Sequence, residues 1–178
     1  MGGMVSDITL LFQCAEFTLS HSRYVEQAAV EELRTSAATP PIIALRLVRL
    51  QRAVLALGMF SLFESMLQTR MGWDIPLDQL DAYLKKHGTA GFAQKFNDYK
   101  LAINVLKHGK GRSYDELLAR STGLDFTVKS DGEYFFDEGD VSEILSLLID
   151  VDEKFVFTCA SLIEDAATLI RSIEKNWN

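Results

Sequence analysis

Apolar residues recur along this chain at helical spacing. Ile8, Phe12, Ala15 and Leu19 stand three or four positions apart, which puts them on one side of a helix. That helix is expected from Ser6 to about Arg34. Ser6 is its expected N-cap, since its hydroxyl can accept from an otherwise unpaired amide of the first turn. His21 and Arg23 fall on this helix in no partner pattern and are expected at its surface. Thr39-Pro40-Pro41 closes the region and opens a second helix. Proline suits a first turn because its missing N–H would have had no partner there. The second helix is expected to run to about Met71 and stop at Gly72. Between Ala53 and Phe63 it is apolar nearly all round, which predicts the most buried helix of the protein.

Pro76 to Lys86, with Leu77, Leu80 and Leu84, predicts a short helix stopped by Gly88. Thr89 can cap the next one. There Phe92, Phe96, Tyr99, Ile103 and Leu106 alternate four and three apart, a clean seam for packing. The other side carries Asn97, Lys100, Asn104, Lys107 and His108, so it is expected to face outward or into an interface. Gly109 is the expected residue just past the helix end, since glycine reaches the left-handed conformation without a Cβ penalty. Ser113-Tyr114-Asp115-Glu116 has the form of a capping box and predicts a further short helix to about Ser121. Leu124 to Lys129 and Glu133 to Phe136 flank Asp131-Gly132, a strong hairpin signal. The last helix is expected from Asp140 to Ile173, opened by Asp140 and Glu143 in the same capping spacing. Its seam runs through Val141, Leu145, Leu148, Phe155, Cys159, Leu162, Ala166, Leu169 and Ile173, and Asp152 interrupts it.

These elements predict an all-α protein. The expected architecture is a single domain over residues 1–178: a bundle of three long helices plus a shorter fourth, with a small β-hairpin insertion. With 178 residues the chain is long enough for a sizeable core. Its 48% apolar and 24% charged residues are ordinary for a soluble globular protein. The longest uncharged apolar run is too short for a membrane span, and the N-terminus lacks the basic-then-apolar pattern of a signal peptide. The expected compartment is the cytoplasm. Cys14 and Cys159 sit in helical patterns and no CxxC occurs, which argues against a disulfide framework or a Cys/His zinc site.

The formal net charge is −7, unevenly placed. Residues 41–121 hold twelve Lys/Arg against seven Asp/Glu, while both flanking segments are acidic. Either the basic middle presents a positive face to an anion, or the segments neutralise one another across the bundle. Arg46, Arg49 and Arg52 are expected on a solvated helix end, with a phosphate-facing stripe as the other reading. Glu64 shares its side with Ser61, Ser65 and Gln68, a polar stripe for solvent or a partner subunit.

The densest candidate chemistry is Asn104-Val105-Leu106-Lys107-His108-Gly109-Lys110-Gly111-Arg112-Ser113. It joins a histidine, an amide and three cations around a glycine stop, inside an acidic protein. The candidate catalytic residues are His108 and Asn104. Lys100, Lys107, Lys110 and Arg112 are the candidate phosphate or nucleotide ligands. Lys100 lies four residues before Asn104, one turn away on the same side. The other reading is that Asn104 and His108 cap the helix end and hold the glycine loop through local carbonyls.

The polar end of this helix resembles the HEPN superfamily (higher eukaryotes and prokaryotes nucleotide-binding domain). Its signature is an Arg, usually followed by Asn, Asp or His, with a His four to six residues after the Arg near a helix end. Asn104 and His108 match the second and last positions, and His108-Gly109 is a common ending in such domains. The order of long helices also resembles the family. The resemblance implies an all-α homodimer in which Arg and His from two protomers meet. RNA would be cleaved there without metal, the 2′-hydroxyl attacking the adjacent phosphate. The family's Arg position is Ile103 here, and the tyrosine of some members is Lys110. An isoleucine can neither hold a phosphate bidentately nor neutralise it. The expectation is therefore a non-catalytic domain that binds RNA, a nucleotide or a cognate protein, in a defence or toxin–antitoxin setting. The alternatives are a metal-independent ribonuclease with an altered motif, and a helical scaffold for a protein partner.

Other chemistries find little support. Gly109-Lys110-Gly111 lacks P-loop length and a preceding strand. Three scattered histidines without HExxH propose no metal site. Glu-x-x-His pairs are missing, no nucleophile elbow occurs, and no basic recognition helix is evident. No cofactor is expected.

Overall fold

A computed structural model gives the fold and describes residues 7–35, 38–130, 132–133, 147–174 and 177. Among the described residues the regular structure is helical. α1 spans Asp7–Leu33, α2 Thr39–Met71, α3 Pro76–His87, α4 Ala90–His108, α5 Arg112–Ala119 and α6 Glu153–Ile173. A single 3-10 turn follows α5 at Ser121–Gly123. α1, α2 and α6 pack against one another, while α3 and α4 pack on α2 and on each other, and α5 packs on α4.

The ends of the middle helices follow local chemistry. α2 starts on its two prolines and ends where the Gly72 N–H reaches Gln68 O at 3.0 Å. Gly72 has φ 67°, ψ 27°, the left-handed stop that glycine enters without strain. Thr89 caps α4 by accepting from the Phe92 amide at 3.2 Å. Ser6, the expected cap of α1, lies outside the described residues.

The chain after α5 departs from the sequence pattern. The last helix does not run through residues 147–152; it starts at Glu153. Residues 148–150 instead pair antiparallel with residues 127–129. Lys129 N–H donates to Leu148 O at 2.8 Å, Asp150 N–H donates to Thr127 O at 3.0 Å, and Val128 bridges Ile149. The buried Tyr114 hydroxyl donates to Lys129 O at 2.8 Å, which ties α5 to this extended segment. Leu124–Lys129 thus pairs with a segment more distant in sequence, while most of the expected hairpin's second strand, Glu133 to Phe136, lies outside the described residues. Gly132 does hold a positive φ of 79°, but Asp131 and residues 134–146 lie outside the described residues, Asp140 and Glu143 among them.

Asp152, which interrupts the apolar seam, is the true N-cap of α6. Its carboxylate accepts from the Phe155 amide at 2.7 Å. Asp152→Ala is expected to lower stability by about 1 kcal/mol, the usual value of such a cap, read as a lowered urea midpoint with an unchanged slope.

The core is aromatic at its centre. Tyr99 of α4, Phe126 and Phe155 of α6 meet with ring centroids 4.9 to 5.3 Å apart. α2 supplies Phe60 and Phe63, both fully buried. α2 is not buried all round, however. Leu47 is 60% and Val54 61% exposed, and Leu62 is exposed beside them. Only one arc of the helix meets its neighbours.

Charge is neutralised between distant segments, the second of the two readings of its uneven placement. Arg49 pairs with Asp150 at 2.8 Å, Arg52 with Glu26 at 2.6 Å, Arg70 with Asp7 at 2.8 Å and Lys95 with Asp125 at 2.8 Å. Each joins the basic middle to an acidic flank. Arg52 is 2% exposed, so it does not project into solvent as a helix end.

Candidate functional site

α4 positions the candidate residues. Phe96, Tyr99 and Ile103 are fully buried, while Phe92 and Leu106 are partly so. The seam therefore packs as its spacing predicts. The opposite side is less open than the polar pattern implies. α3 packs over it, and Lys100 is only 8% exposed. Its Nζ lies 3.0 Å from Asp78 Oδ1 on α3. Lys100 thus serves the α3–α4 contact, an ion pair that sequence spacing within α4 alone cannot reveal.

Asn97 and Asn104 are half-buried. Lys107 and His108 are exposed on the last turn, followed by exposed Lys110 and Arg112. The helix closes as Gly109 N–H donates to Val105 O at 2.8 Å. Gly109 adopts φ 73°, ψ −143°. The positive φ is as expected of glycine, but this ψ turns the chain away rather than curling it into a left-handed turn. A side chain here would be strained whatever the space around it.

The capping box of Ser113 and Glu116 does not form. α5 starts two residues earlier than that box requires, at Arg112, with Gly111 as its N-cap. Asp115 N–H donates to Gly111 O at 3.0 Å. Ser113 then lies inside the first turn, too far along to cap it. Glu116 pairs one turn on with Arg120 at 3.2 Å. No side chain caps α5, so its first amides are left for water or an anion. They stand amid Lys107, Lys110 and Arg112. Among the described residues, no side-chain hydrogen bond or ion pair holds Lys107, His108 or Arg112.

This junction can attract and hold a phosphate. Its cations are exposed, and a helix N-terminus adds partial positive charge. Proton transfer would fall to His108. Position 103 supplies no guanidinium here: it is Ile103, 0% exposed. Cys159 is no exposed nucleophile, being fully buried with its thiol pKa pushed well up by burial, while Cys14 lies exposed on α1, away from this junction in sequence. Among the described residues no group of three His, Cys, Asp or Glu is placed to hold a metal ion. None of the described helices is long and apolar enough to cross a membrane.

A second polar region escaped the sequence reading. Glu26, Arg52, Asp152, Glu153 and Lys154 line an open cleft of about 620 Å³ where α1, α2 and the start of α6 meet. Arg23 of α1 forms a two-pronged contact with Glu153, whose carboxyl it holds below the usual range through hydrogen bonding and charge. Burial raises the Asp150 carboxyl, and Arg49 opposes that rise. These opposite charges balance, so the cleft reads as a strut between helices. A signal for Arg52 did exist in the sequence. It lies four residues from both Val48 and Ala56, on the buried arc of α2. Neither a family model, nor a curated protein, nor a solved structure matches this chain.

Proposed function

We propose that this chain is a HEPN-like helical bundle that binds RNA or nucleotide phosphate at the α4–α5 junction without cleaving it. The observation that carries this reading is the exposed cluster of Lys107, His108, Lys110 and Arg112 beside the uncapped first turn of α5, in a protein whose net charge is −7. Phosphate is the chemistry shared by both ligands. Arg112 offers a planar fork and the lysines offer point charges. Lys100 takes no part, since Asp78 holds it. Asn104 stands one turn behind His108, half-buried. With an apolar, buried residue at position 103, the junction can bind a phosphate but has no guanidinium in the family's place to neutralise it during cleavage. The reading includes a cytoplasmic homodimer, with a cognate protein partner in a defence or toxin–antitoxin setting, as the resemblance implies.

A salt series tests it. With labelled single-stranded RNA, three cation contacts give a slope of log K against log salt of about −2, and the double variant Lys107→Ala, Arg112→Ala brings it to about −0.7. Equal affinity for the native protein and the double variant would reject the site. RNA incubated with excess chelator is expected to remain intact. Fragments with 2′,3′-cyclic ends, lost in His108→Ala, would instead establish cleavage. Affinity for a protein partner alone, insensitive to salt, would leave a helical scaffold as the better description.

A further inference from the structure

Trp177 is the largest fully buried side chain among the described residues, yet it belongs to no helix. α6 ends at Ile173, and Trp177 stands four residues further on. Its N–H donates to Glu174 O at a long 3.3 Å. Side chains of three other helices meet around it. At the end of α2 the Arg70 guanidinium lies over the indole, 5.3 Å from the ring centroid, within reach of the attraction between a cation and an aromatic face. Arg70 Nη1 donates to the Trp177 carbonyl at 3.3 Å, and Nη2 to Asp7 Oδ2 at the start of α1 at 2.8 Å. On α3 the Tyr83 hydroxyl donates to Glu174 Oε1 at 3.2 Å. Burial, and then the Glu174 carboxylate, pushes that hydroxyl up to about 12, so it stays a donor at neutral pH.

One group in this arrangement lacks a partner. Trp177 Nε1 is buried, and among the described residues no acceptor meets it. A tryptophan fixed in a core normally finds an acceptor for its N–H, and an unmet buried donor penalises the closed position. Water supplies that acceptor once the ring leaves. Departure strands no charge. Arg70 keeps Asp7, whose side chain is 58% exposed, and the Trp177 carbonyl gains water in place of Arg70. The gain from burying one indole is also of the same order as the freedom lost in holding chain outside a helix. Two positions of Trp177 are therefore close in free energy.

We infer that Trp177 is a releasable clasp. Closed, it ties the start of α1 and the end of α2 together through Arg70, and α3 joins them through Tyr83 and Glu174. Open, it frees the Arg70 guanidinium from the ring and bares the apolar seat beneath it. Such a clasp opens by itself, while α2 and α6 stay folded. None of its residues belongs to the α4–α5 junction, so it is independent of any ligand there.

Fluorescence of the whole chain gives the test. The protein has two tryptophans, so Trp73→Phe leaves Trp177 as the sole indole reporter. Its emission is expected to be blue-shifted, as for a buried ring. Urea well below the unfolding midpoint is expected to raise acrylamide quenching about threefold or more while the helical circular dichroism holds. Adding Arg70→Gln is expected to raise quenching without urea, because the ring loses its cation. In the unaltered protein the Trp177 indole N–H is expected to exchange with deuterium about a hundredfold or more faster than the slowest amides of α2. That measurement, by NMR, is decisive where Trp73→Phe does not fold. A ring quenched from the outset like free tryptophan would show that it never docks. Quenching that rises only as the helices melt, indole exchange as slow as the core amides, or an Arg70→Gln ring as shielded as before would make Trp177 a permanent part of the core. Any one of these results overturns the clasp.

Discussion

Ile103→Arg is expected to leave the chain unfolded or insoluble, although it restores the residue that the HEPN signature carries just before Asn104. Position 103 is fully buried, in one core with Phe96 and Tyr99 of its own helix. A guanidinium there has no carboxylate partner supplied by the exchange. The effective penalty for a buried unpaired ion is several kcal/mol, a large part of the roughly 5–15 kcal/mol that holds a domain together. The added volume strains a close-packed site further. Asn104→Arg, one position on, is the informative contrast. Its side chain is half-buried at the edge of α4, so its charge can reach water and the expected change is within about 1 kcal/mol. Soluble yield and thermal melting by circular dichroism separate the two. A folded Ile103→Arg protein, above all one that cleaves RNA, would show that packing at this position is not what keeps arginine from it.

The same contrast explains what could be read from the sequence and what could not. Residues that act within one helical turn were legible. Pro40 and Pro41 opening α2, Gly72 closing it, Thr89 capping α4 and Gly109 ending it all depend on their immediate neighbours. The seam of α4 was legible because burial on a helix follows its period. The start of α6 was not. Asp140 and Asp152 both offer a cap, and the apolar spacing continues between them; the choice rests on Val128 meeting Ile149, a pairing across some twenty residues. Lys100 was misjudged for a similar reason. Its place on the polar side of α4 is correct, but the cover comes from α3 and the charge from Asp78. At the candidate junction the residue types and their clustering were legible. Which of them face solvent depended on where α3 lies and on α5 starting at Arg112 rather than at the Ser113 box.

Glu26→Ala is expected to cost more stability than Arg52→Met, although both remove the same ion pair. Arg52 donates through both terminal nitrogens to the Glu26 carboxylate, at 3.2 and 2.6 Å. The two ends differ in burial: the Arg52 side chain is 2% exposed and that of Glu26 35%. Removing Glu26 leaves a buried guanidinium without the carboxylate that satisfies it, and its Nε already lacks a hydrogen-bond partner. Breaking a buried pair in this way costs about 3–5 kcal/mol. The lower end applies because Glu26 keeps a third of its surface in water. Arg52→Met leaves only the carboxylate, which can turn toward solvent, while methionine keeps most of the stem's packing between α1 and α2. That exchange is expected to be neutral to about 1.5 kcal/mol unfavourable. For a chain of this length the first variant should melt about 6–12 °C below the native protein and the second within a few degrees of it. The double variant should resemble Arg52→Met, because the penalty of Glu26→Ala lies in the stranded charge. Equal losses in both single variants would mean that the pair is solvated in solution and that α1 and α2 are held by their apolar contacts alone.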